Sequence, residues 1–139
     1  MVERLVVVAA VGLIVLTAVL LARAWTDRRV RTLQQTAPDW AAIGAQPDGR
    51  RTLIAFSTPS CAACHQAQSP AIDLVREQLG EDALRVIRVD AASHPRAARA
   101  FGILTVPSTV VVDAVGQHIV AVNQGFAPSA RLVQQLRLA

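Results

Sequence analysis

The chain has 139 residues, 53% apolar and 17% charged, and its net charge of +4 comes from 14 arginines with no lysine. That length bounds one domain, and the lack of a basic stripe interleaved with aromatic residues argues against a nucleic-acid partner. From Arg31 onward ten arginines stand against eight carboxylates, so the basic balance lies largely in the N-terminal flank.

Leu5 to Ala22 is an unbroken run of 18 uncharged, mostly apolar residues bounded by Arg4 and Arg23. A helix of that length rises ~27 Å, close to the thickness of a bilayer's hydrocarbon core. Trp25 follows where indole rings favour the membrane interface. Ala22-Arg23-Ala24 has the small-x-small form of a signal cleavage site. The run nevertheless exceeds the about 7–15 apolar residues of a signal peptide, and Arg23, Arg28, Arg29 and Arg31 crowd past it. Residues 1–25 therefore read as an uncleaved membrane anchor. Four arginines after the span against Arg4 before it favour a cytoplasmic position for the residues beyond the span.

Residues 26–50 read as a connector, with Pro38, Gly44 and the turn signal Pro47-Asp48-Gly49, and with Trp40 and Ile43 packing onto the domain. Residues 51–139 read as that domain. Thr52 to Phe56 predicts a buried strand, and Cys64 to Leu79 a helix bent at Pro70 and closed by Gly80. Leu84 to Val89 predicts a second strand, and Ser93 a cap for a short helix from Pro95 to Phe101. After Val106-Pro107, the β-branched run Ser108 to Val112 predicts a third strand. A turn at Asp113 to Gly116 leads to a fourth, His118 to Val122, broken by Gly125. Pro128 to Leu138 predicts an amphipathic helix with Leu132, Val133 and Leu136 on one face. The order, β-α-β-α-β-β-α, is that of an α/β domain.

The only cysteines are Cys61 and Cys64, in Cys61-Ala62-Ala63-Cys64. Two cysteines three positions apart lie about one helical turn apart and can close a small disulfide. Cys61 falls at the start of the predicted helix, where unpaired amides and the helix dipole stabilise a thiolate, the nucleophile of disulfide exchange. Three other chemistries use the same residues. Cys61 to His65 fits the haem-attachment pattern, with His65 as one axial ligand and His94 or His118 as the other. Zinc needs about four ligands, which the two cysteines with His65, His94 and His118 could nominally supply, although His94 and His118 lack ligand spacing. A permanent structural disulfide is the third, although so short a loop contributes little in the chain-entropy model.

Two separated segments, Phe56-Ser57-Thr58-Pro59-Ser60-Cys61-Ala62-Ala63-Cys64 and Phe101-Gly102-Ile103-Leu104-Thr105-Val106-Pro107-Ser108, together with the element order, resemble the thioredoxin family. The resemblance spans Thr52 to Leu138 and implies a thioredoxin-like fold, a central mixed sheet flanked by helices. It implies thiol–disulfide oxidoreductase activity with Cys61 as nucleophile and Cys64 as resolving residue, and no cofactor beyond that pair. It also implies a cis Val106-Pro107 bond beside Cys61, where an extended substrate can pair with the backbone, and His65 as a modulator of the thiolate. Protein thiols and disulfides, and an electron donor or acceptor, are the implied partners.

The Ser/Thr-Pro-x-Cys run before the motif is similar to the membrane-tethered TlpA and MauD-type branch, which favours the outer face of a membrane, against the arginine count. Three features depart from the family. Ser57 and Ser60 replace tryptophans, Ala55 stands where a buried acid assists the second cysteine, and the central dipeptide is Ala-Ala. The missing acid keeps a second reading open, a non-catalytic docking module on the same scaffold.

Overall fold

The structure, a computed structural model, describes residues 1–34 and 37–139. The apolar run after Arg51 forms strand β1 (Arg51–Ser57), whose five middle residues are all buried. It is hydrogen-bonded along both edges: parallel to β2 (Leu84–Asp90) and antiparallel to β3 (Ser108–Val112). Strand β4 (Ile119–Gln124) pairs antiparallel with β3, giving the sheet order β2-β1-β3-β4. Parallel neighbours need a crossover, and the chain between β1 and β2 supplies one through helix α2 (Ser69–Leu79).

Alternation along the strands sends side chains to two faces. Leu53, Ala55, Val111 and Ala121 pack under Ile72 and Val75 of α2 and under Leu132, Val133 and Leu136 of the C-terminal helix (Ser129–Arg137). Ile54, Phe56, Val110 and Val112 face the other way, toward Phe101 and a short helix over Pro95–Ala100. These last two helices are α4 and α3. The Phe56 and Phe101 rings meet at 5.8 Å between centroids in a tilted arrangement, a favourable geometry for an aromatic pair.

Three local features differ from the sequence reading. His94, not Ser93, occupies the N-cap of α3, because the Ser93 hydroxyl donates to the Asp90 carboxylate at the end of β2. That bond, and the Ala92 amide, hold the Asp90 carboxyl below its usual range. Strand β4 runs on to Gln124, with its bulge opposite Val111 and Val112. Within the connector, Trp40–Ile43 form a 3-10 turn capped by the Asp39 carboxylate, which accepts from the Ala42 amide at 3.1 Å.

Trp40 and Ile43 pack against the Phe56 and Phe101 face, and the Trp40 indole donates to the Gly116 carbonyl at 2.7 Å. Gly116 has φ +72°, and a Cβ there would lie 2.5 Å from Pro47 Cβ and 3.2 Å from the Trp40 ring. Both the backbone and the contact require glycine at this position.

The N-terminal helix α1 spans Val2–Gln34 and continues through residues 26–34, where the Thr26 and Thr32 hydroxyls donate back to the carbonyls of Ala22 and Arg28. Its apolar stretch is long enough to cross a membrane, and none of it is buried within the chain. A core helix of the same composition would be covered.

The β3–β4 turn is held by Asp113. Its carboxylate accepts the amides of Gln117 at 2.9 Å and His118 at 3.1 Å, and the His118 ring nitrogen lies 3.1 Å away. Burial acts to raise the Asp113 carboxyl, and the His118 and Gln117 hydrogen bonds outweigh it, leaving a net lowering. A lowered folded value contributes stability above the unfolded value and loses it as pH falls through the folded one. Asp113→Ala should therefore cost about 1–3 kcal/mol at pH 7. The deficit should narrow below about pH 4, where the unfolded carboxyl protonates. Urea midpoints of both proteins at pH 7 and pH 3 measure this, and a deficit that does not change with pH contradicts it.

Candidate functional site around Cys61 and Cys64

Strand β1 ends at Ser57, and the chain turns through Thr58-Pro59-Ser60, with the Cys61 amide donating to the Thr58 carbonyl at 3.1 Å. Helical structure starts at Ala62. Cys61 and Cys64 form a disulfide across this first turn, with Cα atoms 5.3 Å apart. The two sulfurs differ in environment. Cys64 is 3% exposed, whereas Cys61 is partly open to solvent beside the exposed Ala62 and Ala63. The Cys64 amide lies 3.2 Å from the Cys61 sulfur and points its hydrogen at it. An amide so placed, with the helix dipole, favours negative charge on the sulfur it faces.

The helix is irregular just before Pro70. It widens into a π turn over Cys64–Gln68, in which the Ser69 amide reaches back to the Cys64 carbonyl. Pro70 then lies in the first turn of α2, where its missing donor is tolerated. The adjustment falls on the residues that carry the second cysteine, and π turns of this kind recur at functional sites.

That turn also presents Gln68, a polar side chain only 3% exposed, to the interior. Its carboxamide donates to the Ala127 carbonyl at 3.0 Å and accepts the Ala127 amide at 2.9 Å. Gln68 carries no ionisable group and stands in no motif, so its role is not legible in the sequence. The available signal for Gln68 was a polar residue in line with the buried Cys64, Ala71, Ile72 and Val75 of the helix.

The Val106-Pro107 bond is cis. In the β1–β3 register Phe56 faces Ser108, so Pro107 and the Cys61 turn leave adjacent strands at the same end of the sheet. Among the described residues none hydrogen-bonds to the Val106 amide or carbonyl. Gln124 holds this loop. Its side chain accepts the Leu104 amide at 3.1 Å and donates to the Gly102 carbonyl at 2.8 Å. The Ser108 hydroxyl has one proton and gives it to the nearer Thr105 carbonyl at 2.7 Å.

The histidines are not brought together. His65 is exposed, with Nε2 3.3 Å from the Pro59 carbonyl, so it rests on the loop preceding Cys61. His94 sits against the Asp90 carbonyl, and His118 pairs with Asp113 at the opposite end of the sheet. Among the described residues no group of three or more His, Cys, Asp or Glu is placed to hold a metal ion. On the face toward α2 and α4, Ala55 is 6% exposed and lies opposite Thr109. The Thr109 hydroxyl accepts from Asn123, which exchanges two hydrogen bonds with Gln135. On its other edge Ala55 lies opposite Arg88, whose guanidinium donates to the Ser69 hydroxyl at 3.0 Å and pairs with Asp73 at 3.5 Å.

A family model described as a thioredoxin-like domain matches residues 38–139. The chain belongs to the thioredoxin-like family. The matched residues include the 3-10 turn at Trp40 as well as the sheet. No curated protein sequence matches the chain.

Solved structures share the thioredoxin fold at low identity. Thioredoxin-2, described as a component of the malaria parasite protein secretion machinery, is 20% identical with a TM-score of 0.60, over 69% of this chain and 89% of that one. Chloroplastic thioredoxin z is 18% identical with a TM-score of 0.56, over 65% and 78%. A thiol:disulfide interchange protein of the thioredoxin family from Chlorobium tepidum TLS is 17% identical with a TM-score of 0.53, over 66% and 80%.

The unequal burial of the two sulfurs has a direct readout. After reduction, iodoacetamide at pH 7 should modify Cys61 at least about tenfold faster than Cys64, since reactivity follows exposure and thiolate character. Peptide mass analysis over time measures both rates. Equal rates, or a faster Cys64, contradict the asymmetry.

Proposed function

We propose that this thioredoxin-like protein is a membrane-anchored thiol–disulfide oxidoreductase acting on protein disulfides. The observation that carries the reading is the pairing of a partly open Cys61, whose sulfur receives the Cys64 amide, with a buried Cys64 within disulfide distance. The Cys61 thiolate attacks one sulfur of a substrate disulfide. A Cys61–substrate bond forms as the substrate S–S bond breaks, and the leaving sulfur keeps the electron pair and takes a proton. Deprotonated Cys64 then attacks the Cys61 sulfur, forming the Cys61–Cys64 disulfide and releasing the second substrate thiolate. Two electrons pass to the substrate, and a separate thiol system restores the pair. Reversed, the same steps oxidise a dithiol.

The Val106 backbone and Pro107 form the edge at which an extended substrate pairs as an added strand. His65 adds positive charge near the Cys61 turn when protonated. No further cofactor takes part in this scheme.

The apolar helix α1 supports membrane attachment. The arginines beyond its apolar stretch favour a cytoplasmic domain, where the pair rests reduced and acts as a reductase. The Ser/Thr-Pro-x-Cys run, similar to the tethered TlpA and MauD-type proteins, favours the outer face. A C-terminal reporter that is active only outside the cytoplasm decides between them. Silence of that reporter, with the protein present in the membrane fraction, is the expected result.

Cys64→Ser should accumulate mixed disulfides with partner proteins, because the first step proceeds and the second cannot. Cys61→Ser should accumulate none, and equal accumulation by both overturns the assignment of roles. The alternative, a docking module without catalysis, draws on the buried alanine at position 55, which offers no acid to take the Cys64 proton. Insulin reduction by dithiothreitol separates the two readings, since a docking module gives no acceleration over dithiothreitol alone.

A further inference from the structure

The site has two halves built on different parts of the chain. The cysteines sit at the start of the helical segment after β1, and the Val106-Pro107 edge sits in the loop before β3. At this end the sheet stops: β3 begins at Ser108 and β4 ends at Gln124. Two glutamine side chains continue the connection beyond it.

The Gln124 carboxamide serves the loop as a neighbouring peptide would, accepting the Leu104 amide and donating to the Gly102 carbonyl. Three residues later, Ala127 is fully buried, and both of its backbone groups are taken by the Gln68 carboxamide. Gln68 closes the π turn that Cys64 opens. A short path therefore runs from the Val106-Pro107 loop through Gln124, Gly125, Phe126, Ala127 and Gln68 to Cys64, with one carboxamide at each junction. A carboxamide is the one short side chain that both donates and accepts in a plane, as a peptide does. A carboxylate keeps only the acceptor, and an alanine neither.

We propose that Gln68 and Gln124 are positioning residues for thiol–disulfide exchange, fixing the distance between the Val106 backbone edge and the Cys61–Cys64 pair. The proposal rests on the oxidoreductase reading and adds to it a requirement for two-point engagement. A protein disulfide must pair its backbone at Val106 while presenting a sulfur to Cys61, so it is sensitive to that distance. A small aromatic disulfide needs Cys61 alone. Loosening the path penalises the first substrate and not the second, and misplacement by about an ångström is enough for a large loss of rate.

The experiment compares kcat/KM for a protein disulfide (insulin) with the rate constant for 5,5′-dithiobis(2-nitrobenzoic acid), using the full chain in detergent. The readout is the ratio of the two. In Gln124→Ala and in Gln68→Ala the ratio should fall about tenfold. Gln124→Glu, which keeps the acceptor for the Leu104 amide and loses the donor to Gly102, should fall between wild type and Gln124→Ala. Near-UV circular dichroism establishes which variants fold, and the two Gln124 variants suffice if Gln68→Ala does not. A ratio within about twofold of wild type in folded Gln124→Ala overturns the proposal, because a merely structural role lowers stability without separating the substrates. Parallel loss of both rates overturns it as well, since the glutamines would then act on the cysteines' own reactivity. A wild-type chain that reduces neither disulfide overturns the oxidoreductase reading itself. An active wild type with an unchanged ratio in the variants overturns the positioning role alone.

Discussion

Strand β1 sets the rest of the molecule. Its middle residues are buried on both faces, and its backbone is hydrogen-bonded to β2 on one edge and β3 on the other. A strand so enclosed cannot slip by one residue without exchanging Leu53 and Ala55 for Ile54 and Phe56 between two filled cores. The place where it ends is therefore fixed, and the Thr58-Pro59-Ser60 turn delivers Cys61 from that fixed point. Strand β3 is held by the same register, so the point where Pro107 enters it is fixed as well. Two segments distant in the chain meet because one strand ties both.

Much of this was legible in the sequence because the signals were periodic or covalent. The β-branched run Ser108 to Val112 is a strand in the structure because every one of its residues is buried, which a run without charged interruption already implies. Leu132, Val133 and Leu136 lie buried on one side of α4 as their spacing requires. The cysteine pair is local, three positions apart, so no knowledge of the fold was needed to join it.

What stayed hidden depends on partners far away in the chain. Gln68 is one glutamine among several until Ala127, 59 residues later, comes against it. The π turn lies immediately before Pro70, the residue that lacks an amide to donate. Sequence patterning predicts a disruption there but not its form. The Ser93 hydroxyl had two chemically equivalent tasks open to it, capping α3 or bonding Asp90, and only the end of β2 determines which is taken. The 3-10 turn at Trp40 is too short to leave a periodic trace.

The position of Trp40 governs how the protein can be observed. Its indole is bonded to Gly116 in the β3–β4 turn. That turn comes after Val112, which pairs with the start of β1, while Cys61 lies past the end of β1. The chain contains two tryptophans and no tyrosine, and the other indole, Trp25, lies in α1 outside the thioredoxin-like residues 38–139. The domain's intrinsic emission thus comes from a fluorophore at the end remote from the sulfurs, where a disulfide cannot quench it by contact. Its fluorescence reports the docking of the Trp40 turn and the unfolding of the sheet. Trp40 emission is therefore no contact probe of the cysteines, whose oxidation state mass or thiol titration reads directly.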